Sequence, residues 1–289
     1  MSSTTSITWR GVTFYGTSGA GRYTFATLEG WEDLPDARQE EYDRPSQHGM
    51  FDADVYSGAR RVLASGRCSS PAERDVMLAE LKAAFSLTPT TTLPLVIDHA
   101  GKVLTVGARL LRFKPTSPAW GSGFWGWAAE WICPDPLRYA APVVTWTPFA
   151  QMLGGLEFDL FTDGVVDTGF LEFGDPGAIT GLVAVSNSGS AQAWPVFTVA
   201  GPTPPEGFDL VDSVTGSRLR YTGVIPSSST LTIDSATGLV TLDGVDRKPY
   251  LTIREWFSIA PDSSASILFS PRGGPTSAVL TVTVTPPSW

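Results

Sequence analysis

Two histidines, two cysteines and few charges in 289 residues leave little of the usual material of active sites. With His48 and His99 the only histidines, the ligand supply argues against a structural zinc. Cys68 and Cys133 are too few for a disulfide scaffold and show no C-x-x-C spacing, so they read as two buried thiols. No apolar run nears the roughly 18 residues that span a bilayer. Residues 1–20 lack a basic start followed by an apolar stretch, so the expectation is a product made and folded in the cytoplasm. A net charge of -9 argues against a nucleic-acid binder, which needs clustered Lys and Arg to neutralise phosphates.

The motifs of catalysis are equally scarce. There is no G-x-S-x-G elbow, and a Ser-His-Asp set would have to use His48 or His99. The stretch Gly16–Arg22 lacks G-x-x-x-x-G-K-[ST] and is followed by no helical pattern, which makes it a strand connection. Glu157, Asp159 and Asp163 do not fit the spacing of a calcium-wrapping loop. No enzyme activity, metal or cofactor is expected.

What is present is the vocabulary of short strands and tight turns. Gly numbers 29 and Pro 23, and 42% of residues are hydrophobic, enough to bury the cores of two mostly β domains. Residues 1–134 hold 13 basic and 14 acidic groups, and 135–289 hold 7 and 15, so the second half makes the protein acidic.

One amphipathic helix is expected over 71–86, with Ser70 as cap, Glu73 closing a box back onto it and Pro71 at the first helical position. Val76, Met77, Leu81, Ala84 and Phe85 form its apolar stripe, suited to covering a sheet. Around it the period switches to two. Leu93–Asp98 and Val103–Phe113 flank a hairpin loop at His99–Lys102. Phe124–Cys133 then places Trp125, Trp127, Ala129, Trp131 and Cys133 on one side. Pro134-Asp135-Pro136 ends that strand, and a domain boundary is placed there, giving domains 1–134 and 135–289.

Residues 140–180 read as irregular and acidic, either a solvated arm or a pair of weakly patterned strands. Strands then recur at Leu182–Ser186, Val196–Ala200, Arg218–Thr222, Thr230–Asp234, Leu239–Leu242, Tyr250–Arg254, Ile267–Phe269 and Val279–Val284. Turn formers such as Asn187-Ser188-Gly189 and Asp243-Gly244 lie between them, the rhythm of a sandwich or jelly roll. A further acidic stretch, Glu29–Asp43, holds seven carboxylates against Arg38 alone, with Leu34-Pro35 breaking any strand. It reads as a solvated loop, or as an acidic lumen or inter-subunit segment carried by Glu32, Asp33, Asp36, Glu40 and Glu41.

The order of these features resembles that of siphophage distal tail proteins over nearly the whole chain. The helix between Ser70-Pro71 and Leu93-Pro94-Leu95 is similar to their first domain, and Trp131–Tyr139 to their aromatic strand running into a Cys-x-Asp-Pro turn. Asn187–Ala191 with Trp194-Pro195-Val196 and Gly201 resembles the opening of their second domain. Leu231–Asp234 with Val240–Gly244 resembles its paired strands, and Trp256 with Pro261 its penultimate turn. Two departures are Asp262, where the family favours glycine, and the length of 140–180.

The resemblance implies a mainly β protein with one helix: a barrel-like, ring-forming first domain and a galectin-like or jelly-roll-like sandwich. It implies a hexameric ring at the virion tail tip, assembled in the host cytoplasm, that joins the tail tube to the tip hub. Its partners would be copies of itself, tail-tube and hub proteins, the tape measure and receptor-binding proteins, with DNA passing through unbound. Other readings are a tube-forming or minor tail protein, and a carbohydrate-binding module suggested by ten tryptophans. The last requires aromatics that face solvent.

Overall fold

The computed structural model describes residues 5–16, 21–39, 42–48, 50–51, 54–68, 73–87, 91–116, 125–150, 180–274 and 276–289. The chain divides into two compact units, Met1–Ala141 with Pro287–Trp289, and Pro142–Pro286.

The first unit runs β1 (Ser6–Trp9), β2 (Val12–Gly16), β3 (Tyr23–Glu29), β4 (Ala37–Gln39), β5 (Tyr42–Asp43), β6 (Met50–Phe51), β7 (Val55–Ser57), β8 (Arg60–Cys68), α1 (Arg74–Ala84), β9 (Leu93–His99), β10 (Lys102–Thr116), β11 (Trp125–Cys133) and β12 (Arg138–Tyr139). Hydrogen bonding follows the order β11-β8-β3-β2-β1-β9-β10, and β10 pairs back to β11, so seven strands close into a barrel. Closure leaves these strands no free edge for stray pairing. All the pairs are antiparallel except the short β2–β3 contact.

Period two decides which side chains fill the barrel. Trp125, Trp127, Ala129, Trp131 and Cys133 are all buried, as their alternation expects. Trp9 meets Trp131 edge-on at 5.9 Å, and Phe14 lies 4.3 Å from Trp127. Helix α1 lays Met77, Leu81 and Ala84 against this core and ends on Phe85, which stacks on Phe113 at 4.5 Å. The Trp9 indole N–H donates to the Ala84 carbonyl at 3.1 Å, so the open end of the helix is tied to β1.

Two details of the helix differ from expectation. Val76 is exposed, because the stripe through residues 77, 81, 84 and 85 leaves position 76 on its solvent flank. Glu73 stands at the N-cap without a side-chain cap bond and is taken instead by Arg22 at 2.8 Å. Ser70 and Pro71 lie outside the described residues. Both cysteines are free and buried, and burial pushes each thiol up to about 12.

The second unit runs β13 (Val143–Pro148), β14 (Leu182–Asn187), β15 (Val196–Ala200), β16 (Phe208–Asp212), β17 (Arg218–Tyr221), β18 (Thr230–Asp234), β19 (Leu239–Leu242), β20 (Val245–Asp246), β21 (Leu251–Arg254), β22 (Ser263–Pro271) and β23 (Val279–Val284). They form two sheets, β13-β23-β15-β18-β19-β20 and β14-β22-β16-β17-β21. Both contribute to one core in which Phe149 stacks on Phe269 at 3.9 Å and Phe208 meets Phe269 edge-on. The chain then returns to the first unit, where β24 (Pro287–Ser288) pairs with β12.

Part of the stretch read as irregular is thus a strand, since Val143–Pro148 pairs along its length with β23. Glu157, Asp159, Asp163, Asp167, Glu172 and Asp175 lie outside the described residues. Where turns demand a left-handed backbone the sequence supplies it. Ala100-Gly101 and Asp243-Gly244 each place two successive residues at positive φ, the geometry that matches the twist of a two-residue hairpin. Asp262 stands at φ +46°, so aspartate occupies a left-handed position of the kind that glycine adopts freely.

Candidate interaction surface

The acidic stretch begins where β3 ends, and two arginines from distant parts of the chain organise its root. Arg60, the first residue of β8, is 1% exposed and donates through Nη1 to the carbonyls of Gly30, Trp31 and Asp33 at 2.9, 2.9 and 2.6 Å. Its Nε donates to the Pro136 carbonyl at 2.8 Å. Arg138 of β12 donates to the Trp31 carbonyl at 2.7 Å and to Glu32 Oε2 at 3.1 Å, and reaches the backbone carbonyl of Trp289. Its guanidinium lies 5.3 Å from the centre of the Trp31 ring, within cation–π range. Burial, and next the neighbouring Arg138 charge, lower the pKa of Arg60 from its ordinary value.

Glu32 is therefore the ion-pair partner of a buried arginine while its own side chain stays largely exposed. Asp33 turns a carboxylate oxygen back to the Gly30 N–H at 3.1 Å, and Asp36 offers its carbonyl to the Gly58 N–H at 2.7 Å. Glu40 and Glu41 lie outside the described residues. Arg38 is thus not the only cation in reach: Arg60 and Arg138 sit beneath the stretch, supplied by strands far along the sequence.

Beyond this root the segment leaves the barrel as a two-stranded ribbon. β4 pairs with β7 and β5 with β6, an arm of short antiparallel rungs. Its apolar side chains are exposed: Phe51, with the Arg44 guanidinium 5.5 Å from its ring centre, is 54% exposed, Tyr56 59% and Val55 60%. Leu34 and Met50 are exposed as well. Exposed apolar side chains thus cluster on these short rungs. The expectation of a plain loop missed this arm because its strands are two or three residues long and interrupted by polar residues.

The outward face of β3, β8, β11 and β10 is different in kind. Small side chains, Thr27, Ser65 and Ala128, floor a shallow groove flanked by Arg112, Lys114 and Glu29. Arg61 pairs with Glu130 at 3.3 Å on the same face. Among the described residues no cluster of histidine, cysteine or carboxylate could hold a metal ion.

Comparisons with known proteins agree with this architecture. A family model for the C-terminal domain of siphovirus-type tail components, named for the Dit protein of phage SPP1, matches residues 188–283. The crystal structure of SPP1 Dit, described as a paradigm of the hub adsorption apparatus of phages infecting Gram-positive bacteria, is 15% identical. It covers 98% of each chain with a TM-score of 0.64. A chain from the structure of the phage P2 baseplate in its activated conformation with Ca gives 8% identity and a TM-score of 0.43 over 97% of each chain. No curated protein matches. Residues 188–283 of the second unit thus match the siphovirus-type tail component C-terminal domain, and the fold of the whole chain is that of SPP1 Dit.

Proposed function

We propose that copies of this chain form a hexameric ring at the distal end of the tail, between the tail tube and the tip hub with its host-recognition apparatus. The carrying observation is the exposed apolar side chains of Met50, Phe51, Val55 and Tyr56 on the short strands β6 and β7, which a second surface would cover. A neighbouring copy supplies that surface in a head-to-tail contact, and head-to-tail contacts close into rings. The first unit, covering the near-neutral half of the sequence, packs against copies of itself at little electrostatic cost, while the acidic second half points outward.

The role is structural: complementary surfaces, no chemistry. The hub function named for SPP1 Dit supports this placement, and so does the family match of the second unit. Glu32, Asp33, Asp36, Glu40 and Glu41 flank the inter-subunit seam or the conduit, where carboxylates keep passing DNA from adhering. Partners are then the tail-tube and hub proteins, with the tape measure and receptor-binding proteins nearby. Negative-stain imaging and light scattering of the purified chain test the reading. Rings are expected, and a monomer at every concentration would count against it.

A further inference from the structure

The outer face of the β13–β20 sheet carries one uninterrupted row. Trp146 lies opposite Thr281, Thr281 opposite Thr198, Thr198 opposite Thr232, and Thr232 opposite Thr241. All five point outward, because Thr147, Val282, Phe197, Leu231 and Val240, which follow or precede them along their strands, are buried. Four strand spacings of about 4.8 Å make the row about 19 Å long. None of the four threonine hydroxyls is engaged with another described group, and Trp146, 68% exposed, is the most exposed aromatic of the described residues.

Threonine on a solvent-facing strand follows from β propensity alone. An indole open to water at the end of the row does not, and Val144 beside it is 58% exposed as well. The row itself carries no charge, and the nearest carboxylates are engaged elsewhere. Asp234 is committed to the backbone and hydroxyl of its own turn, and Asp246 to the Lys248 N–H. With no cation on the row and a chain charge of -9, an anionic polymer gains nothing there. A protein partner would want a contiguous apolar centre, which hydroxyls interrupt.

We propose that this face binds a neutral polysaccharide laid across the strands, with Trp146 stacked on the apolar face of one sugar ring and the threonine hydroxyls bonding successive sugar hydroxyls. Aromatic stacking plus a line of rigid hydroxyl partners matches that ligand, whose faces are apolar and whose edges are hydroxylated. The site stands independently of ring formation, since every residue belongs to one unit of one chain.

The test uses the full chain with hexamers of N-acetylglucosamine and of glucose as probes, followed by tryptophan fluorescence and calorimetry. Saturable binding to at least one probe is expected. Trp146→Ala, and separately Thr198→Val with Thr232→Val, should each weaken it by at least about tenfold, with the unfolding midpoint of the shape-preserving double variant unchanged. Binding to neither hexamer, or equal binding by both variants and the parent, overturns the proposal. So does a change of sedimentation coefficient in Trp146→Ala without any sugar affinity in the parent, which would make the face a protein interface.

Discussion

Arg60 and Arg138 share one acceptor: both guanidiniums donate to the carbonyl of Trp31, at 2.9 and 2.7 Å. Two like charges converge there because the loop after β3 offers the carbonyls of Gly30, Trp31 and Asp33 as acceptors. Replacing Arg60 with Met removes the donor to four carbonyls, those of Gly30, Trp31, Asp33 and Pro136. A loss of several kcal/mol in urea unfolding is expected, since buried carbonyls left without a donor cost about 1–3 kcal/mol each. Arg60→Lys should recover only part of it, since an ammonium lacks the planar fork.

Backbone crowding supports a second prediction. An added Cβ at Gly207 would lie 1.9 Å from the Tyr221 carbonyl oxygen, at φ +81°, whereas at Gly216, with φ +76°, it would meet nothing within 4 Å. Gly207→Ala should therefore cost several kcal/mol, and Gly216→Ala only about 1 kcal/mol, the price of the left-handed conformation alone. Thermal melts of the two variants against the parent separate clash from conformational strain.

Thiol chemistry gives a third. With the pKa pushed up to about 12, the thiolate of Cys68 or Cys133 at pH 8 is about one part in ten thousand. Native protein should leave a colorimetric disulfide reagent almost unreacted over hours, and full reaction of both thiols should follow unfolding in guanidinium. Rapid reaction of the native chain would contradict the burial.

A fourth concerns acid. Tyr23 donates to Glu80, and Arg22 bonds both Glu80 and Glu73, clasping α1 to the start of β3. The Tyr23 hydrogen bond, aided by Arg22, lowers the Glu80 pKa against the opposing effect of burial. A carboxyl with a lowered folded pKa contributes stability above its unfolded pKa of about 4.3 and loses it as pH falls through the folded value. Glu80→Gln should thus melt lower than the parent at pH 7, with the gap closing below about pH 4 in a pH series of melting temperatures.

How far the sequence led depended on whether its information was local. The indoles of β11 were legible because alternation is a property of neighbours, and so were the strands Thr230–Asp234 and Leu239–Leu242 around their turn. Strand β16 was not foreseen: Phe208–Asp212 has two acidic residues in five and follows a Pro-Pro-Glu-Gly approach that reads as loop. The environment of Glu32 was illegible for another reason. Arg138 reaches it because the chain enters β12 just after Pro136, and nothing near Glu32 announces a cation so far along the chain.

That same geometry decides which carboxylates can test the conduit. Reversing Glu32 would unpair Arg138, and reversing Asp33 would release the Gly30 N–H, so either change confounds function with folding. Asp36 contributes a carbonyl, which a substitution keeps, and its side chain is exposed. In a ring, copies of Asp36, Glu40 and Glu41 would gather around one axis, and their mutual repulsion at low salt needs a return in function. Repelling the phosphates of DNA in transit would supply it. Asp36→Lys, Glu40→Lys and Glu41→Lys together should leave the ring assembled and the melting temperature nearly unchanged, while DNA release from packed particles slows. The delay should be longest at low ionic strength, where the attraction of lysine for phosphate is least screened, and should shrink as salt rises. Release at the parental rate in low salt, from particles whose tails carry the triple variant, would remove these carboxylates from the conduit and leave them to the seam between subunits.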